Sequence, residues 1–122
     1  MSRWADLGVA LVALQHLGFL VLEMFLWTEP LGLRTFGLTP AFAEASRVLA
    51  ANQGLYNGFL AAGLVFGLLR AGDRRATQIF FLGCAAVAGV FGALSAQPAI
   101  LFVQALPALA ALALVLLARR RS

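Results

Sequence analysis

Charge is scarce in this chain: 11% of its 122 residues are ionisable at neutral pH, where an ordinary soluble domain carries about a quarter. Cysteine occurs once, at Cys84, which excludes an intramolecular disulfide and a Cys-rich metal centre. Histidine also occurs once, at His16, and one imidazole with one nearby acid supplies too few ligands for a catalytic zinc. No nucleophile elbow, P-loop or HExxH segment is present, so no motif names a reaction, a metal or a cofactor. Internal repeats and low-complexity tracts are missing too. What fills the chain is apolar: 62% of the residues are hydrophobic and the mean hydropathy is +0.93. A soluble fold of this length could not hide so much apolar surface, so the expected environment is a bilayer.

A spanning helix needs about 20 largely apolar residues, because the hydrocarbon core is about 30 Å thick and each residue rises about 1.5 Å. Ala5 to Trp27, Val48 to Leu69, Thr77 to Ala96 and Pro98 to Ala118 reach that length. The expected fold is all-α, a four-transmembrane-helix bundle over 1–122, with helices near 5–27, 40–71, 76–96 and 98–118. The first of these is longer than a signal-peptide core, contains His16 and Glu23, and lacks a small-residue cleavage site before Glu29-Pro30, so it is expected to be retained.

Arginine placement orients the bundle. With four spans, Arg3, Arg70, Arg74, Arg75, Arg119, Arg120 and Arg121 share one side, and only Arg34 and Arg47 face the other. Both termini of this multi-pass membrane protein are therefore expected in the cytoplasm. The net charge of +4 comes from these anchors, which suit anionic headgroups and need no nucleic acid. Trp4 and Trp27 stand about 34 Å apart along a helix, the spacing of two interfacial belts.

The connection from Thr28 to Ser46 is the long one. Within it Thr39-Pro40 reads as an N-cap followed by proline at the first helical position, so the second helix is expected to begin at Pro40, with Phe36, Leu38 and Phe42 along the outer interface. Ser95-Ala96-Gln97-Pro98 is a tight turn, which makes helices three and four antiparallel neighbours. Pro107 removes the hydrogen bond to the Val103 carbonyl and should kink the last helix. Helix three carries small residues four apart, Ala85-Gly89-Ala93 and Ala88-Gly92-Ala96, ridges that permit close approach of a neighbouring helix or of another copy.

Polar side chains within these spans carry the chemistry. His16 and Glu23 are seven residues apart, about 20° from each other around the first helix. Asn52, Gln53, Tyr56 and Asn57 fall within an arc of about 140° on the second, and Gln104 lies two turns into the fourth. Measured from the outer ends of their helices, Glu23, Asn52, Gln53, Tyr56 and Gln104 share one stratum, with His16 and Asn57 just beneath. The expectation is an outward-opening polar cavity floored by His16. Helix-joining hydrogen bonds are the plainer reading, although each is worth only about 0.6 kcal/mol in a membrane.

Several runs resemble a known family. Glu23-Met24-Phe25-Leu26-Trp27, Phe36-Gly37-Leu38-Thr39-Pro40, Asn52-Gln53-Gly54-Leu55-Tyr56-Asn57-Gly58 and Phe80-Phe81-Leu82-Gly83-Cys84 are similar to the small bacterial membrane proteins called DUF1304. The resemblance reaches Gln104 and Pro107 and implies a four-helix inner-membrane protein, with no activity to carry over. Gln15 stands where the family often has an acid before the helix-one histidine, so no role for a carboxylate there is implied. A fainter similarity is to the membrane-associated glutathione and eicosanoid enzymes. Arg47, Tyr56 and Phe59 fit their second-helix pattern, while Ala51 and Gly54 replace its asparagine and acid.

Three functions are therefore open. One is an oligomeric membrane protein that binds or passes a small molecule, ion or proton. Another is an intramembrane enzyme acting on a lipophilic or thiol substrate, with His16 or Tyr56 as acid or base. The third is a structural or regulatory subunit of a larger membrane complex, docking through the helix-three ridges. The bilayer is the one partner common to all three.

Overall fold

The computed structural model describes residues 3–70, 72–95 and 101–118. Among them are five α-helices and no strand: α1 (Arg3–Met24), α2 (Pro30–Phe36), α3 (Pro40–Leu69), α4 (Arg74–Ser95) and α5 (Leu106–Leu117), with a π-helical turn at Leu101–Ala105 leading into α5. Of these, α1 and α4 are long and apolar enough to cross a bilayer. The expected second and fourth spans differ from that standard for separate reasons. Asn52, Gln53 and Asn57 dilute the apolar character of α3, and the apolar helix Phe102–Leu117 is shorter. The expected turn through Gln97 and Pro98 and the Arg119–Arg121 anchor lie outside the described residues.

The chain forms two compact units: 1–13 with 62–122, and 14–61. In the first, α1 contributes Ala5, Val9, Val12 and Ala13, α3 Leu64, α4 Leu82, and α5 Ala111 and Val115 to one buried cluster. The α1 members recur at helical spacing, so one stripe of that helix is inward while Trp4, Leu7 and Leu11 stay exposed. Six of these eight side chains are alanine or valine, so the helices meet in close contact. Small residues make that contact possible. A Cβ on Gly8 would stand 3.3 Å from the Ala111 Cβ, and one on Gly89 only 2.6 Å from the Ala105 nitrogen. The ridge Ala85-Gly89 is thus occupied from within this unit, by the π-helical turn and by Ala108.

That turn is the form the proline break takes. Pro107 sits in the first turn of α5, where its missing N–H is harmless, and the preceding residues widen into a π turn instead of carrying an i→i−4 ladder through the ring.

Arginines at the start of α4 also hold this unit. Arg74 pairs with Asp6 of α1. Arg75 donates from Nη1 to the Val115 carbonyl (2.9 Å) and from Nη2 to that of Leu116 (3.4 Å), closing the end of α5. A cation on the last carbonyls of a helix satisfies orphan acceptors and complements the dipole. Arg75→Met, which keeps the stem and drops the donors, should destabilise the protein by about 1–2 kcal/mol. An unchanged thermal midpoint in detergent would show that the cap contributes nothing.

The second unit turns on its caps. Gly37, at φ +65°, ends α2 in the left-handed conformation, and the Leu38 N–H reaches back to the Leu33 carbonyl at 2.9 Å, the signature of a glycine C-cap. Thr39, two residues beyond Gly37, accepts from the Phe42 N–H at 3.2 Å through its Oγ1, so Thr39 caps α3 and Pro40 opens it, as the residue order led one to expect. Helix α2 itself was not anticipated, because Gly32 reads as a breaker. Its glycine is needed for space: a Cβ there would run into the carbonyl oxygens of Leu26 and Trp27. Trp27 Nε1 donates to Ser46 Oγ at 3.0 Å and its ring lies 4.9 Å from that of Phe36, fastening the connection to the start of α3.

Candidate functional site

The site is built in the second unit, where the last turns of α1 meet the middle of α3. Gly54 sets the approach. A Cβ on it would lie 2.7 Å from Met24 Cγ, 3.0 Å from Glu23 Cβ and 3.2 Å from the Leu20 carbonyl oxygen. One turn further on, Gly58 receives the Leu20 side chain. The two backbones are therefore near enough for short polar side chains to bridge them, and Asn57 Nδ2 donates to Glu23 Oε1 at 2.5 Å. Both side chains are half-buried. The contact joins the two helices directly, side chain to side chain.

His16 lies two turns before Glu23 on α1 and is completely buried, at 0% exposure. The ring of Phe19 stands edge-on to it, 5.3 Å away. Burial keeps this imidazole off the exposed, largely apolar face of α1. Gln15 beside it is half-buried.

The arc on α3 divides. Asn57 turns toward Glu23, whereas Asn52, Gln53 and Tyr56 are exposed. An arc of about 140° is wider than the face a single neighbouring helix covers, so one edge pairs and the other does not. Up to Ala61, the residues that α3 buries are Ala43, Ala50, Gly54 and Ala61. Gln104 belongs to the first unit, half-buried within the π-helical turn. No group of three His, Cys, Asp or Glu side chains among the described residues is placed to hold a metal ion.

One buried polar residue escaped notice in the sequence. Gln78 on α4 has 0% exposure, and neither of its amide atoms has a hydrogen-bond partner among the described residues. It packs against Gly67, where a Cβ would stand 3.1 Å from Gln78 Cγ. The signal was available. Gln78, Leu82, Ala85 and Gly89 follow one another at steps of four, three and four, so the small-residue ridge continues back to the glutamine.

The family model for DUF1304, a protein family of unknown function, matches residues 10–116. That stretch contains His16, Glu23, the whole of α2 and α3, and Gln104. The chain belongs to DUF1304. Comparison with curated proteins and with solved structures finds no match. A DUF1304 chain therefore borrows no activity from a relative, and its function has to be argued from its own side chains.

Proposed function

We propose that this DUF1304 protein is a four-span protein of the bacterial inner membrane, with both termini cytoplasmic. Its Glu23–Asn57 pair, together with His16, forms an outward-opening polar site that binds or passes a small molecule, an ion or a proton. The observation that carries this reading is the 2.5 Å hydrogen bond between α1 and α3. As a joint between helices it contributes little: an interhelical hydrogen bond is worth about 0.6 kcal/mol on average, and ionisable side chains within spans are rare and mark ion, proton or ligand paths. A carboxyl and an imidazole two turns apart on one helix are better explained by what they exchange.

The span count is supported by length and by arginine placement. At about 1.5 Å per residue the 30 residues of α3 cover about 45 Å, more than the hydrocarbon thickness, so its polar stretch can be accommodated. Asp6 lies beside Arg74 at the end of the first unit that the arginine count assigns to the cytoplasm.

Because the site joins an acid with the only imidazole, a proton is the first cargo to test. In liposomes loaded with a pH-sensitive dye, the parent should dissipate an imposed proton gradient faster than protein-free vesicles. Glu23→Gln, which keeps the shape and the Asn57 contact, should fall to the protein-free rate while inserting normally. A Glu23→Gln protein as fast as the parent would remove Glu23 from the site, and a parent no faster than bare vesicles would remove the proton.

A further inference from the structure

The face of α3 opposite the Glu23 contact has a spacing of its own. Phe42, Ala45, Leu49, Asn52, Tyr56 and Phe59 follow one another at steps of three, four, three, four and three, and all six are exposed. That is the seam of a heptad, the period at which two like helices keep facing each other as they supercoil. The seam closes at Gly63, the next position in the series, which is buried beneath the Phe81 ring. It therefore runs about 26 Å along the helix. Meanwhile Ala43, Ala50, Gly54 and Ala61 make up the buried side, so this chain does not use the seam internally.

Apolar seam residues alone would sit in lipid without penalty. Asn52 would not. Its amide and that of Gln53 have no hydrogen-bond partner among the described residues, and both stand in the stretch of α3 placed within the membrane under the reading above. Hydrocarbon supplies no donor or acceptor, so such groups drive helix association.

We propose that a second copy of this chain covers the seam, giving a two-fold dimer in which the two α3 helices run parallel. Copies inserted with the same topology are related by an axis along the membrane normal, so each seam residue meets its own counterpart. An amide carries both donors and an acceptor, which lets Asn52 satisfy the Asn52 of the other copy. An identical helix is thus the partner that answers both the heptad period and the unpaired amides. Single buried asparagines at such positions set register in coiled coils. The dimer stands apart from proton passage, so either can fail without the other.

The test is site-directed disulfide formation in native membranes, in a Cys84→Ser background. Leu49→Cys and Tyr56→Cys should give reducible dimers under mild oxidant. Leu55→Cys, exposed on the flank of the same helix, and Phe91→Cys, exposed on α4, should not. In detergent, Asn52→Leu should weaken the sedimenting dimer about three- to twentyfold, the range of interhelical hydrogen bonds in membranes. Equal cross-linking at Leu55 or Phe91, cross-linking of the seam to another protein, a monomeric parent, or a tight Asn52→Leu dimer would each overturn the proposal.

Discussion

Gly89→Leu should be the most damaging single substitution in the first unit, costing about 3 kcal/mol or more. A Cβ at this position would stand 2.6 Å from the Ala105 nitrogen and 2.8 Å from its Cα. Those neighbours are backbone, so no rotamer change can clear them. The helix would have to back away from the π-helical turn, exposing the small buried cluster of Ala85, Ala86 and Ala108. Gly83 on the same helix is the control, because nothing lies within 4 Å of a Cβ there. The expected result is a steep loss of thermal stability in detergent for Gly89→Leu and a change below about 1 kcal/mol for Gly83→Leu. If the two variants melt together, the close approach of α4 to the turn is not what holds this unit.

Gly54→Leu should disable the site and weaken the second unit together. The branched side chain would meet Glu23 Cβ and the Leu20 carbonyl oxygen, with Met24 alone able to swing aside. Forcing α1 from α3 by even 1 Å lengthens the Glu23–Asn57 contact from 2.5 Å beyond hydrogen-bonding range. The destabilisation expected is about 2–3 kcal/mol, with proton flux at the protein-free level. Gly54→Ala should be milder, since the thioether of Met24 is flexible. Gly18 on α1 has open space around it, and Gly18→Leu should keep both stability and flux. A Gly54→Leu protein with the flux of its parent would show that the helix crossing is not what positions the site.

Much of this architecture is legible in the residue order alone. The start of α3 at Pro40 was legible because Thr39 and Pro40 act locally, through one side-chain oxygen and one fixed dihedral. The break near Pro107 was legible for the same reason, although its form as a π turn was not, since that depends on how close Ala105 comes to Gly89. Helix α2 was hidden because Gly32 signals a break when read alone, and its purpose appears only where the chain folds back on Leu26 and Trp27. The site was half legible. Periodicity put His16 and Glu23 on one side of α1 and four polar residues within one arc of α3, but an arc does not say which of its edges meets a neighbour.

The order of residues by itself determined that this chain is helical and apolar, where its caps and breaks fall, which arginines cluster, and that it belongs to DUF1304. These follow from local dihedral preferences, from periodicity and from composition, none of which needs a partner segment. Only the tertiary structure decided that Asn57 and not Asn52 takes the Glu23 carboxylate, that Gly54 and Gly89 are the positions where backbones nearly touch, and that Gln78 is buried. Such choices depend on the rotation and separation of whole helices, and those are set by the summed packing of small residues far apart in the chain.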